Sequence, residues 1–396
     1  MIGLRIGAIF FYFISQSSHI FATTYSIREK LNNFIVDTQY IDETSDRKNG
    51  TWPIEVRGRE NTSLIFLEAD IFFPLQTSLS LLRTQQFYPV KNLSNINAHL
   101  YRQTQNYFQD TFFSSRTFGS IAFWPLMEIE PQKFIHNFGS DKKILESFDN
   151  LNILNDIDTS SRYFLWLSNQ NRSHPFIDAF LTTSSNNIDQ NNGAYKTWIH
   201  NKNKKNLPNN TDCVVNLNVV SALKSYERLA NIQLPKKNKI ANESACLAIN
   251  RMLNQKNLLS CSHYYDRLTE LILAYALAYK EAPKCLNDSL AIMQKALLEE
   301  AIRVINDKNS QTDELSEIII SLAHLPPSKA MSLEHHYAMS EILREQLKVK
   351  LIQDEEAAYA KASSAFIGAF SKETFDWYSK AYSSALALEA LSTPQN

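Results

Sequence analysis

The chain has 396 residues, with 40 Lys and Arg against 41 Asp and Glu, for a net charge of −1. Near-neutrality excludes the clustered basic excess that a nucleic-acid surface needs. Only 8 glycines exclude a Gly-rich phosphate loop and a fold built on tight hairpins.

Residues 1–22 read as a secretory signal peptide: Arg5 in a basic start, the apolar run Ile6 to Ile14, a polar stretch, and Ala22 before the cut. The run is shorter than the roughly 20 apolar residues of a bilayer span. A periplasmic or secreted protein is expected, with no membrane span once the leader is removed. Residues 23–59 are polar and predict an extended or loosely packed arm. No composition break divides residues 60–396, so one domain is expected there, with an Asn/Lys insertion at 201–210.

Within it, six similar phrases recur: Leu75 to Leu82, Thr159 to Leu167, Val215 to Leu223, Leu271 to Tyr279, Leu315 to Leu325 and Ser383 to Leu391. Each is apolar around much of a helix, with small residues that permit close approach, which marks a buried helix. Other segments carry a single stripe. In 290–305, Leu290, Met293, Leu297, Ala301 and Val304 fall on one side, the pattern of an outer helix. Thr312, before Asp313 and Glu314, reads as a helix cap. Strand-like alternation is nearly absent. The prediction is an all-α fold, an α/α toroid: a ring of about six helical hairpins, inner helices apolar and outer ones amphipathic.

Lys202, Lys204 and Lys205, and Lys236, Lys237 and Lys239, read as solvated loops. His335-His336 after Glu334 lacks the spacing of a zinc protease and reads as surface. Of the four cysteines, Cys246 with Cys261, or Cys261 with Cys285, is the expected bridge, and Cys213 beside Val214-Val215 a buried thiol. No thiolate zinc spacing occurs, so no metal site is expected. The sequence names no cofactor.

Candidate catalytic residues are Asp156, Asp158, Asp212 and Asp266. The first three precede or open a helix, so each is either a cap or first-turn acid, or a contact at the mouth of the ring; Asp266, beside Tyr264-Tyr265, is either a helix cap or a working acid or base. Asn216 and Asn218 on an inner helix are either hydrogen-bonding glue or ligand contacts, because a buried amide needs partners. Trp124, Tyr195, Trp198, Tyr264 and Tyr265 either line a pocket that stacks sugars or greasy ligands, or pack the core.

An ordered set of phrases resembles the terpenoid cyclase and protein prenyltransferase α/α toroids, and bacterial proteins of unknown activity that share the ring. They are Phe123-Trp124-Pro125, Asn155 to Ser160, Gly193 to Trp198, Asp212 with Val215 to Val219, Tyr264-Tyr265 and Ala385 to Leu391. The resemblance implies a ring over about residues 60–394. The cyclase acid motif D-x-D-D-T, aligned on Thr159, finds Asp158 at its last acid but Ile157 at the proton donor and Asn155 at the first. The prenyltransferase zinc spacing fails as well, since Cys213 directly follows Asp212.

Two functions follow as expectations. In one, the ring binds an apolar small molecule, a glycan or a protein partner, through Asn and Tyr contacts and without strongly raised carboxyl pKa values. In the other it is an enzyme, terpenoid-modifying or a periplasmic glycan hydrolase or lyase, using Asp156 or Asp158 with Asp212 or Asp266 across a shared cavity.

Overall fold

The computed structural model describes residues 17–39, 51–52, 54–58, 65–68, 71–106, 128–130, 133–134, 156–172, 175–199, 209–328, 331–353, 361–364 and 375–394. Among them the protein is predominantly helical. In chain order the main helices are α1 (Ser17–Thr38), α2 (Phe72–Thr84), α3 (Leu93–Asn106), α4 (Ile157–Asn169), α5 (Ile177–Asn186), α6 (Cys213–Leu229) and α7 (Lys236–Leu253). They continue with α8 (Leu268–Glu281), the short α9 (Pro283–Leu286), α10 (Leu290–Asn306), α11 (Thr312–His324), α12 (Leu333–Gln353) and α13 (Lys380–Ser392).

The six apolar phrases lie in α2, α4, α6, α8, α11 and α13, buried along most of their length. Each packs on the next: α2 on α4, α4 on α6, α6 on α8, α8 on α11, α11 on α13, and α13 on α2 again. Like ends meet. Phe73 and Tyr382, both in first turns, lie 5.9 Å apart between ring centroids, and Arg83 and Glu389, both in the last two turns, form an ion pair. The remaining helices pack outside this succession: α3 on α2, α5 on α4, α7 on α6, α10 on α8 and α11, α12 on α11, and α1 on α13. In α10, Met293, Leu297, Ala301 and Val304 are buried, as the stripe predicts.

Local chemistry sets the starts. Asp156, Asp212 and Ser379 accept from the backbone N–H three residues on, each worth about 1 kcal/mol. For α11 the cap is Gln311 rather than Thr312; the Glu314 carboxylate reaches back to the Gln311 N–H at 2.9 Å.

Several expectations are corrected. The arm is helical through Thr38, and Ile27, Leu31 and Ile35 are buried against the rest. Strands occur: Ile54–Gly58 (β1), Ile65–Glu68 (β2), Lys361–Ser364 (β5) and Phe375–Tyr378 (β6) form an antiparallel sheet ordered β2-β1-β6-β5, and Glu128–Glu130 (β3) pairs with Lys133–Phe134 (β4). The pairing of β1 with β6 joins segments about 320 residues apart, so no local pattern announces it. Lys236, Lys237 and Lys239 open α7 rather than a loop. His336 is buried, its Nε2 donating to the Leu322 carbonyl at 2.8 Å. Residues 202–205 lie outside the described residues.

The cysteines pair as Cys213–Cys261 and Cys246–Cys285, with Cα separations of 5.4 and 5.3 Å. Neither expected pairing occurs. Cys213 opens α6 and faces the turn after α7, a tertiary contact that spacing does not encode. The two bridges interleave along the chain.

Candidate functional site

Asp156, Asp158 and Asp212 are fully or nearly buried where α4 and α6 begin. Asp156 takes the Thr159 N–H at 2.5 Å and the Thr159 hydroxyl at 2.7 Å. Burial, and then Asp158 nearby, push its pKa up to about 7. Asp212 accepts from Val215 N at 3.0 Å, His263 N at 2.5 Å and Tyr264 N at 3.0 Å, so one carboxylate caps α6 and pins the loop before α8. Burial raises it to about 6 against those three donors. The Cys213–Cys261 bridge fastens the same loop.

That loop delivers Tyr265, whose hydroxyl donates to Asp158 Oδ2 at 2.5 Å. Asn218 Nδ2 donates to Asp158 Oδ1 at 3.0 Å, and Arg162 Nε to the same oxygen at 3.2 Å. The other face of Arg162 donates to Gln76 Oε1 at 2.6 Å. Asp158 therefore holds Arg162, Asn218 and Tyr265 in fixed positions. Burial raises its pKa in spite of these partners.

At the start of α8 a second cluster forms. Arg267 pairs with Asp313, and its Nη2 donates to Glu270 Oε1 and Glu317 Oε1 at 3.0 Å each. Three buried carboxyls thus face one guanidinium. Burial raises all three, most strongly Glu317, and Arg267 opposes it. Glu270 Oε2 and Glu317 Oε2 have no hydrogen-bond partner. The Thr269 hydroxyl lies beside Glu317 in poor hydrogen-bond geometry, and its approach works against the raised pKa of that carboxyl.

Between these clusters runs a cavity. Its narrow part, about 30 Å³, is lined by Gln76, Arg162, Asn218, Tyr265, Glu270, Glu317 and Tyr382 among others. That volume holds about two waters. Arg83, Arg162, Asn218 and Leu277 also line a wider chamber of about 280 Å³ toward the helix C-termini, where Ser221, Ser225, Arg228, Lys280 and Glu281 join them. Cations suit this end, because each inner helix presents its negative dipole end there. Arg83 is held by Glu389 through Nε–Oε1 at 2.5 Å and Nη2–Oε2 at 2.8 Å. Lys280 makes no hydrogen bond or ion pair among the described residues; burial and Arg83 lower its pKa. Burial, then Lys280 and Arg83, drive His324 down to about 3, so its ring is neutral.

Of the residues proposed from sequence, Asn218 and Tyr265 line the cavity. Asn216 is glue: its amide bonds Tyr195 N at 2.7 Å, Tyr195 O at 3.0 Å and Asp212 O at 2.9 Å. Tyr195 and Trp198 are buried in the segment before α6, and Trp198 meets Tyr264 edge-on at 5.5 Å. Asp266 precedes Arg267, the N-cap of α8. Trp124 lies outside the described residues, as does Asn155. Ile157 is wholly buried. Cys213 is bonded to Cys261, which removes it as a zinc ligand.

The aspartate pairs line neither cavity, so the shared cleft expected of them is not found there. The expectation of carboxyls without strongly raised pKa values fails too, at Asp156, Asp212 and Glu317. Sequence reasoning missed Glu270, Glu317, Arg83, Arg162, Arg267 and Lys280. The available signal was a charge inside an otherwise apolar helix, as at Glu317 in Leu315 to Leu325 and Glu389 in Ser383 to Leu391. No protein-family model matches this chain, and no curated protein matches it.

Proposed function

We propose that the protein is an exported α/α toroid that binds a polar, anion-bearing small molecule or glycan fragment in its axial cavity. The carrying observation is the lining of the 280 Å³ chamber: Arg83, Arg162, Arg228 and Lys280 with amides and hydroxyls, against Glu281. All three guanidiniums are already oriented, by Glu389, Asp158 and Glu281, so little side-chain entropy opposes binding, and Lys280 is the cation without an ion pair among the described residues. The toroid reading draws on the closed succession of inner helices with an outer layer. Export draws on the apolar leader and on four cysteines all in bridges, which suit an oxidising compartment. The cations on the lining, beside Leu79, Leu165 and Leu277, favour a ligand with an anionic group over the wholly greasy one that the cyclase resemblance implies.

The test is calorimetry of the full chain with oligoglucuronate, a neutral glucose oligomer and a farnesyl alcohol. Oligoglucuronate is expected to bind with an affinity that falls as salt rises, weakened about tenfold by Lys280→Gln. Binding of the farnesyl alcohol alone, or of none of the three, overturns the reading. The enzyme reading keeps one support, the carboxyls Glu270 and Glu317 on the cavity, and release of shortened oligoglucuronate in the same samples is its readout.

A further inference from the structure

We propose that the Arg267 cluster is a proton-carrying ligand site: Glu317, as a carboxylic acid, donates a hydrogen bond from Oε2, the oxygen that Arg267 does not hold, to a carboxylate of an acidic sugar in the cavity. The proposal rests on reading that cavity as a binding site, and it adds the protonation state and the chemical class of the ligand.

The argument starts from charge. Arg267 faces Asp313, Glu270 and Glu317, and one guanidinium balances one carboxylate. Glu317 is 1% exposed and Asp313 0%. Two further bare anions there would lack compensating cations in a buried site, so the cluster keeps protons instead. A purely structural cluster would close its hydrogen bonds internally. Here Glu270 Oε2 has no partner, Glu317 Oε2 has only the loosely placed Thr269 hydroxyl beside it, and both side chains border the narrow part of the cavity.

The other groups facing Glu317 do not take its proton. Tyr382, from α13, has its own pKa raised by burial and then by Glu317. On α8, Glu270 is itself raised, while Asp158, which does not line the cavity, is bonded to Arg162, Asn218 and Tyr265. An O–H donor next to a chamber rimmed by cations matches a ligand carboxylate. The acid supplies a short charge-assisted bond to one oxygen, and Arg162 and Arg83, which already pair with Asp158 and Glu389, add a weaker attraction. A neutral sugar gains neither advantage.

Two measurements on the full chain test this. Difference infrared spectroscopy at pH 7 should show the carbonyl stretch of a protonated carboxyl, absent in Glu317→Gln and shifted when oligoglucuronate is added. Calorimetry from pH 6 to 9 should show oligoglucuronate affinity falling about tenfold per pH unit once the carboxyl ionises. Glu317→Gln keeps an amide donor, so it should bind without that pH dependence. No protonated-carboxyl band, a band unmoved by bound oligoglucuronate, or an unchanged pH profile in Glu317→Gln overturns the site. If the parent binds no oligoglucuronate, the cavity reading falls and this site with it. Binding without the infrared shift sinks this site alone.

Discussion

Glu389 joins the last inner helix to the first, and its removal tests how the succession closes. Its carboxylate takes a two-point grip from Arg83 on α2, at 2.5 and 2.8 Å, and the Ser80 hydroxyl at 2.6 Å. Glu389 is 1% exposed on its side chain and Arg83 20%. Glu389→Ala therefore strands a mostly buried guanidinium and a fully buried hydroxyl. Breaking a buried pair in this way costs about 3 to 5 kcal/mol, and the partial exposure of Arg83 moves the expectation to about 2 to 4 kcal/mol. The double variant Arg83→Met with Glu389→Leu removes both charges and should recover most of that loss. Urea unfolding of the parent, Arg83→Met, Glu389→Leu and the double variant completes a thermodynamic cycle. A loss below about 1 kcal/mol in Glu389→Ala, or a double variant no better than the single one, would refute the argument that this pair fastens α13 to α2.

Two further predictions concern stability. The bridges close loops with sequence separations of 48 and 39 residues, so replacing either pair by Ser should cost about 4 kcal/mol by chain entropy; peptide mapping that finds Cys246 joined to Cys261 would refute the pairing first. Asp156 and Asp212 titrate near 7 and 6 when folded, against about 4 when unfolded. Their folded forms hold protons that the unfolded chain has lost, so their contribution is complete below about pH 4 and declines as pH rises. Each should contribute a slope of about 1.4 kcal/mol per pH unit between 4 and 6. The double variant Asp156→Asn with Asp212→Asn should flatten the decline in urea midpoints over that range, and a parent whose stability rises steadily from pH 4 to 6 contradicts the assignment.

The inner helices were legible because their signal is local and strong: apolar residues on every side, with Ser and Ala allowing contact, as in Ser383 to Leu391. Asp156 and Asp212 were legible as caps, since a cap bonds three residues along its own chain. The further role of Asp212, gripping His263 and Tyr264, was not, because it spans about 50 residues. Arg267 with Asp313 and Glu317 was hidden for the same reason: the guanidinium lies about 50 residues from both carboxyls along the chain. Asn218 and Tyr265 were named as candidates, but their common partner Asp158 emerges only when α4, α6 and the loop before α8 meet. The sheet escaped notice because its strands run four or five residues and pair opposite ends of the chain.

The interleaving of the two bridges has a consequence for survival among proteases. A cut between Cys213 and Cys246 is spanned by the first bridge, one between Cys261 and Cys285 by the second, and one between Cys246 and Cys261 by both. Any single nick from Cys213 to Cys285, including one at the exposed Lys236 and Lys237, leaves both fragments covalently joined. Asp212, Tyr265 and Arg267 would stay tethered around the cavity, and the break would show only after reduction.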